Sequence, residues 1–473
     1  MDSLRVLDIF KEITTIPRES GHEGPVTDWL CSWAAARSLE CKRDATGNVL
    51  ISRPAAPGKE NVPTIVLQAH QDMVCEKNAG VDFDFRKDPI RYVIEDGWMI
   101  AKDTTLGADD GIGIAACLAL LEDDAPTGKI ECLFTISEET GMDGAEALES
   151  GFFSGKTLIN LDSEDEGQLF IGCAGGLNTN IRFRFTRKES PLHYVRCCIS
   201  GGIGGHSGDD INKGRANTVQ LMARFLYSQL SEGLLLVSMN GGGKPNAIAR
   251  ECEAVVAVPD ANRCIRAFRD FGADVAEEFH KTDPGLEFAA KKAPVTEMPV
   301  SASSSHRIIS ALFACPHGVQ AMSQDIPDLV QTSTNLASVR THDGKNLIEI
   351  VTSQRSSATS ERRAIAAKVR ACFEQAGASV RHMYEYPGWN PDVNSYVLAR
   401  TVAAYRKLFG TEPEVKAIHA GLECGLFLQK FPGLDMISFG PTLRGVHAPG
   451  EKLELASLDK FVLLLDELVR NYE

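Results

Sequence analysis

The stretch VPTIVLQAHQD, residues 62–72, decides the fold. A short apolar run bounded by polar residues makes a strand buried on both faces, and such strands belong to parallel sheets covered by helices. Working outward, residues 129–137 (KIECLFTIS) and 157–161 (TLINL) read the same way, and residues 111–121 (GIGIAACLALL) read as a buried helix between them. This alternation predicts an α/β protein with a mainly parallel central sheet. The first stretch also ends in His70, Gln71 and Asp72. In open α/β sheets ligands bind beyond the carboxyl ends of the strands, so polar residues at that end are the first place to look for chemistry.

Four more stretches carry metal-type ligands after predicted strands: Asp109-Asp110, Glu138-Glu139, Asp162 and His447. From about residue 183 the texture changes. A glycine cluster (Gly201, Gly202, Gly204, Gly205), helices near 217–230 and 261–279, and a strand at 252–258 are followed by a second set. That set has a helix near 305–314, strands at 335–340 and 346–352 joined by the turn 342–345, a charged helix at 360–376 and a strand at 379–386. The ligand candidates lie only before about residue 165 and after about residue 418. We therefore expect residues 1–182 and 387–473 to form one catalytic domain, interrupted by an α+β lid domain, 183–386, built as two tandem α/β halves.

Composition narrows the function. With 473 residues and 43% hydrophobic content there is material for a sizeable core. A net charge of -15 argues against a nucleic-acid binder, which needs clustered cations to neutralise phosphates. The first residues, MDSLRVLDIFKEI, read as an amphipathic helix and not as a signal core. No apolar run reaches the roughly 18 residues of a membrane span. The 13 cysteines are odd in number and lack a CxxC, which suits free thiols in a reducing compartment. A cytoplasmic location is expected, with no membrane or nucleic-acid partner.

Each ligand stretch alone has an ordinary reading: a polar turn, a helix cap, a solvated acid, a loop histidine. Their joint occurrence suggests a site. A mixed His/Asp/Glu set suits Zn²⁺ or a similar divalent ion. Two ions about 3.5–4 Å apart need a bridging carboxylate, and a free carboxylate beside them can serve as general base. Asp72, two residues after His70, is close enough to hydrogen-bond the ring and fix its tautomer.

The motifs HQD, TTLGADDGIGIA, ISEETGMDGA, LDSED, GGHSGDDI, HAGLECGLF and GPTLRGVHAPGE resemble the aminoacyl-histidine dipeptidases, and the resemblance spans residues 5–470. These are the peptidase D, bacterial carnosinase-like branch of the dinuclear-zinc exopeptidases. The resemblance implies hydrolysis of dipeptides, Xaa-His and β-Ala-His among them, with two divalent ions: zinc first, manganese or cobalt as substitutes. It implies that His70 and Asp162 hold one metal, Glu139 and His447 the other, and that Asp109 bridges them. Glu138 would be the base that takes a proton from a water bridging the metals, and Asp72 would orient His70. From the lid, His206 would stabilise the oxyanion. Arg355 would clamp the substrate carboxylate, Asn246 would hold a substrate backbone group, and Glu423 would receive the substrate's α-amino group. Gln71 departs from the pattern of related sequences, at a position that is not a ligand. Small peptides are the expected partners, and homodimer and monomer both stay open. A tripeptidase, aminoacylase or carboxypeptidase of the same clan is the alternative, and a catalytically silent peptide- or metal-binding relative is the alternative of another class.

Overall fold

The computed structural model describes residues 1–190 and 192–473. The chain folds into two compact units. The first comprises Met1–Gly172, Pro391–Ala417 and Leu422–Glu473, and the second comprises Cys173–Asn390 and Ile418–Gly421.

In the first unit an eight-stranded sheet runs in the order Glu40–Arg43, Val49–Arg53, Ile130–Thr135, Ile65–His70, Thr157–Asn160, Asp435–Ser438, Gln168–Cys173, Glu414–Ile418. Its centre is parallel, because Ile65–His70 pairs in parallel with both Ile130–Thr135 and Thr157–Asn160, and Asp435–Ser438 continues the run. Antiparallel strands flank that centre. Ile65, Val66, Leu67 and Ala69 are at most 3% exposed, and burial of Ile65, Val66 and Leu67 contributes about 1.5–3 kcal/mol each. The register sets His70 against Thr135, and Gln68 against Asn160. The strand exits that lead to Glu138 and Asp162 therefore share one edge with His70. The helix Ser3–Ile13, capped by Asp2, and the apolar helix Ala108–Glu122 belong to this unit.

Asp109 and His447 do not leave the main sheet, a departure from the expectation that every ligand stretch follows one of its strands. A second, four-stranded sheet pairs Tyr92–Glu95, Trp98–Ala101, Lys452–Glu454 and Leu443–Arg444. His447 sits in the loop joining its two shortest strands, and Asp109 stands at the start of Ala108–Glu122, after the loop that follows Trp98–Ala101.

The second unit holds one nine-stranded antiparallel sheet. One half runs Glu287–Lys292, His193–Ser200, Cys252–Val258, Leu235–Gly242. The other runs Val330–His342, Leu347–Ser356, Gly175–Arg184, Ser379–Tyr386, with Gly318–Met322 at its side. The halves meet through Asn240, Gly241 and Gly242 against Arg340, Val339 and Ser338. They are nested, not tandem: the strand Gly175–Arg184 opens the second half before the first half begins, so the second unit starts at Cys173 and not at 183. Four helices, Thr218–Ser228, Ala261–Glu278, Ala302–Ala314 and Thr359–Gln375, contribute to a common apolar core. No helix among the described residues is long and apolar enough to cross a membrane, and no disulfide is formed among the described residues.

Candidate metal centre

His70 ends a fully buried strand, so its ring projects from the sheet edge with no freedom to turn away. The Nδ1 atom lies 3.1 Å from the Asp72 carbonyl and 3.3 Å from Asp72 Oδ1. Asp72 does more than hold this ring. Its Oδ1 accepts from the Glu138 amide at 3.0 Å, and its Oδ2 from the Glu139 amide at 3.2 Å and Ser20 Oγ at 2.8 Å. One buried carboxylate thus orients the histidine and the paired glutamates together.

On the other side of the ring, His70 Nε2 is 2.9 Å from Asp109 Oδ1 and 3.7 Å from Asp162 Oδ1. The second Asp109 oxygen, Oδ2, is 3.0 Å from His447 Nε2, which in turn lies 2.9 Å from Glu139 Oε2. Three overlapping groups result, each close enough to share an ion: His70, Asp109 and Asp162; Asp109, Glu139 and His447; and His70, Glu138 and Glu139. Asp109 belongs to the first two, with one oxygen toward each histidine.

The electrostatics describe a site short of positive charge. Burial, then the neighbouring Asp109 carboxylate, pushes Asp162 well up. Burial, then the charges of Glu139, Asp109 and Asp72 against a favourable His70, lifts Glu138 to about 8. Asp109 goes the other way: burial opposes it, but hydrogen bonds with His447 and His70 hold it well below the carboxylate range. Those same contacts with Asp109 and Glu139 carry His447 up to about 11. Partial loss of hydration, then the Asp109 charge, raises Glu164 to about 7. Carboxylates this crowded and this dry are ionised together only beside cations. A donor set of imidazoles and carboxylates fits divalent metal ions.

The second unit gathers its own polar cluster. His206 Nδ1 is 3.1 Å from Asp209 Oδ2, and His206 Nε2 is 3.4 Å from Arg355 Nη2. The Asn246 carbonyl accepts from the Ser207 amide at 2.8 Å, and His206 pairs with Ala247. Arg355 donates to the Tyr386 hydroxyl at 3.3 Å, and its buried Nε has no partner. His206, Asn246 and Arg355 are thereby brought together. Glu423, in the first unit, does not face solvent. It is 1% exposed, its Oε2 accepts from Gln68 Nε2 at 2.6 Å and Thr135 Oγ1 at 2.8 Å, and its Oε1 is buried without a partner. Burial, then the Glu138 charge, raises Glu423 to about 8.

The sequence pattern of peptidase family M20/M25/M40 matches residues 66–471. The chain belongs to this family. It is 37% identical over 469 residues to the cytosol non-specific dipeptidase of Escherichia coli K12, covering 98% of this chain and 96% of that protein. The crystal structure of aminoacylhistidine dipeptidase from Vibrio alginolyticus matches with TM-score 0.92 at 38% identity, over 99% of this chain and 96% of that one. Aminopeptidase PepT from Bacillus cereus, at 19% identity and TM-score 0.64 over 99% and 98% of the two chains, shares the fold.

Two polar residues of this M20 chain escaped the sequence reading as site candidates. His419 opens the quoted HAGLECG motif. It is 6% exposed, lies 2.7 Å from Ser333 Oγ, and its carbonyl packs against Gly208, two residues from His206. Burial, then the Arg355 charge, lowers it to about 3. The signal was its place in the motif. Tyr386, on Arg355, carries no such local signal.

Proposed function

We propose that this chain is a metal-dependent dipeptidase that hydrolyses unblocked dipeptides, with Xaa-His substrates, β-Ala-His included, among its targets. The observation that carries the reading is Asp109, whose two oxygens face His70 and His447, each beside a further carboxylate, Asp162 and Glu139. The names of the Escherichia coli and Vibrio relatives supply the substrate class. The first unit is the catalytic domain and the second the lid, in a cytoplasmic enzyme.

In this reading His70 and Asp162 would hold one ion, Glu139 and His447 the other, and Asp109 would serve both. Zinc is the first candidate, with manganese or cobalt as substitutes. When bound, such ions polarise the scissile carbonyl and acidify water. Glu138 takes the proton from the attacking water and returns it to the leaving amine. Asp72 keeps His70 and the Glu138-Glu139 turn in register. His206 donates to the developing oxyanion, and Arg355 forks onto the substrate carboxylate. Asn246 holds the peptide backbone.

The test is a panel of dipeptides, tripeptides and N-acyl amino acids, assayed before and after chelation and with zinc, manganese or cobalt returned. Dipeptides should be cleaved fastest, activity should vanish on chelation, and the metals should restore it. Full activity in a metal-free preparation overturns the mechanism. Faster cleavage of tripeptides or acylated amino acids overturns the substrate assignment.

A further inference from the structure

The Glu451 carboxylate, 2% exposed, faces four consecutive backbone amides. Its Oε2 accepts from Leu106 at 2.8 Å and Gly107 at 3.0 Å, and its Oε1 from Ala108 at 2.8 Å and Asp109 at 3.4 Å. Successive N–H groups converging on one anion form a nest, and the left-handed Gly107, at φ +69°, is what lets them converge. Glu451 itself lies four residues after His447, in the same loop. From the opposite side Arg18, also 2% exposed, donates Nη1 to the carbonyls of Asp72 at 2.8 Å and Gln71 at 3.2 Å, and Nη2 to the carbonyl of Gly107. A Cβ at Gly107 would stand 2.4 Å from Arg18 Nη2, so this position has room for glycine only.

We propose that Glu451 is a positioning residue for the metal centre, tying the backbone that carries Asp109 to the loop that carries His447, with Arg18 joining the Gly107 backbone to the His70–Asp72 turn. Asp109 and His447 come from outside the main sheet, so the sheet's register cannot set their distance. Backbone bonds from Ala101 to Glu451 and from Gly450 to Thr104 bring the two segments side by side, and the Glu451 side chain extends that link to the amides of 106–109. Outer residues that orient metal ligands typically contribute about 10–100-fold to metal affinity. This inference rests on the dinuclear reading above.

The experiment follows zinc release from the zinc-loaded enzyme into excess chromophoric chelator, together with hydrogen exchange at the amides of residues 106–109. Glu451→Gln turns an NH₂ group toward amides that need an acceptor. Zinc should leave it about 10–100-fold faster, and the 106–109 amides should lose protection. Glu451→Asp, which keeps both oxygens on a shorter arm, should fall between. A folded Glu451→Gln that releases zinc at the wild-type rate with unchanged protection overturns the proposal. If that variant does not fold, Arg18→Lys, which keeps the charge and loses the fork, decides by the same two readouts. A wild type that binds no zinc refutes the dinuclear reading itself. A wild type holding two ions beside an unaffected variant refutes only the role of Glu451.

Discussion

Asp72→Asn tests the centre at the point where most of it converges. The wild-type carboxylate is fully buried and meets the His70 ring, the amides of Glu138 and Glu139, and the Ser20 hydroxyl. Asparagine keeps one acceptor oxygen. Its better orientation leaves that oxygen on the His70 and Glu138 side, because the Ser20 hydroxyl can rotate to accept from the new NH₂. The Glu139 amide then faces a donor and loses a charge-assisted hydrogen bond, worth about 1.5–3 kcal/mol. Weaker polarisation of His70 adds to this, so we expect about 2–3 kcal/mol, or roughly a 30- to 150-fold loss of kcat/KM at 1.36 kcal/mol per tenfold. The loss should fall on kcat, since the displaced groups are a ligand and a base and not contacts to the peptide ends. Steady-state kinetics on a dipeptide with saturating zinc would show it, alongside metal content and urea unfolding of the same preparations. A variant within threefold of wild-type kcat, or one that loses only stability, refutes the argument that Asp72 places the glutamates.

Glu138→Ala should lower kcat by about 10²–10⁴-fold, as for loss of a general base, while two ions stay bound. If metal content falls instead, the roles of Glu138 and Glu139 are exchanged. His206→Ala should cost about 10²–10³-fold in kcat, as for removal of an oxyanion donor, with metal content intact, and unchanged kcat would leave it a structural loop residue. His419 predicts a pH effect on stability. Its folded value of about 3 lies below the usual 6.5, so between these values the unfolded chain binds a proton that the folded chain does not. Stability is therefore lost as pH falls from 6.5 toward 3, by about 1.4 kcal/mol per unit, or about 2 kcal/mol at pH 5 from this residue. His419→Gln should flatten the change in urea midpoint between pH 7 and pH 5, and equal slopes for the two proteins would count against it.

How much of this was legible in the sequence follows from how local each signal is. The strand Ile65–His70 announces itself, because a doubly buried strand must be apolar throughout and His70 must sit at its exit. The three central exits follow from parallel register once such strands are recognised. The boundary of the second unit does not. The strand Gly175–Arg184 opens with two glycines because neighbours leave no room: a Cβ at Gly175 would meet Arg362 Nη1 at 2.0 Å, and one at Gly176 would meet the Tyr386 ring at 2.3 Å. Its pairing partners lie about as far away as Ser356, so nothing nearby in the chain marks it as the edge of a nested sheet. Glu451 binds amides 342–345 residues away, and Arg18 sits in a segment with no motif. The burial of Glu423 was hidden for the same reason: a glutamate at a helix start reads as a solvent-facing acid until Gln68 and Thr135 are seen to close over it.

The two kinds of residue divide the work of the site. Register places His70, Glu138, Glu139 and Asp162, since strands that pair in parallel must end together, and a shift by one residue would turn His70 into the sheet face. Asp109 and His447 obey no such rule, and in the proposed reading Asp109 is the carboxylate that would face both ions. Their loops carry left-handed backbone at Gly107, Gly445, His447 and Gly450, and backbone bonds join them at their flanks, Gly450 to Thr104 and Ala101 to Glu451. Side chains have to supply what the ladder cannot, which is why the buried charges of Asp72, Glu451 and Arg18 point mainly at backbone amides and carbonyls. Removing a ligand would empty one coordination position. Removing Glu451 or Arg18 would loosen the loop that carries Asp109, and removing Asp72 would loosen the turn that carries Glu138 and Glu139.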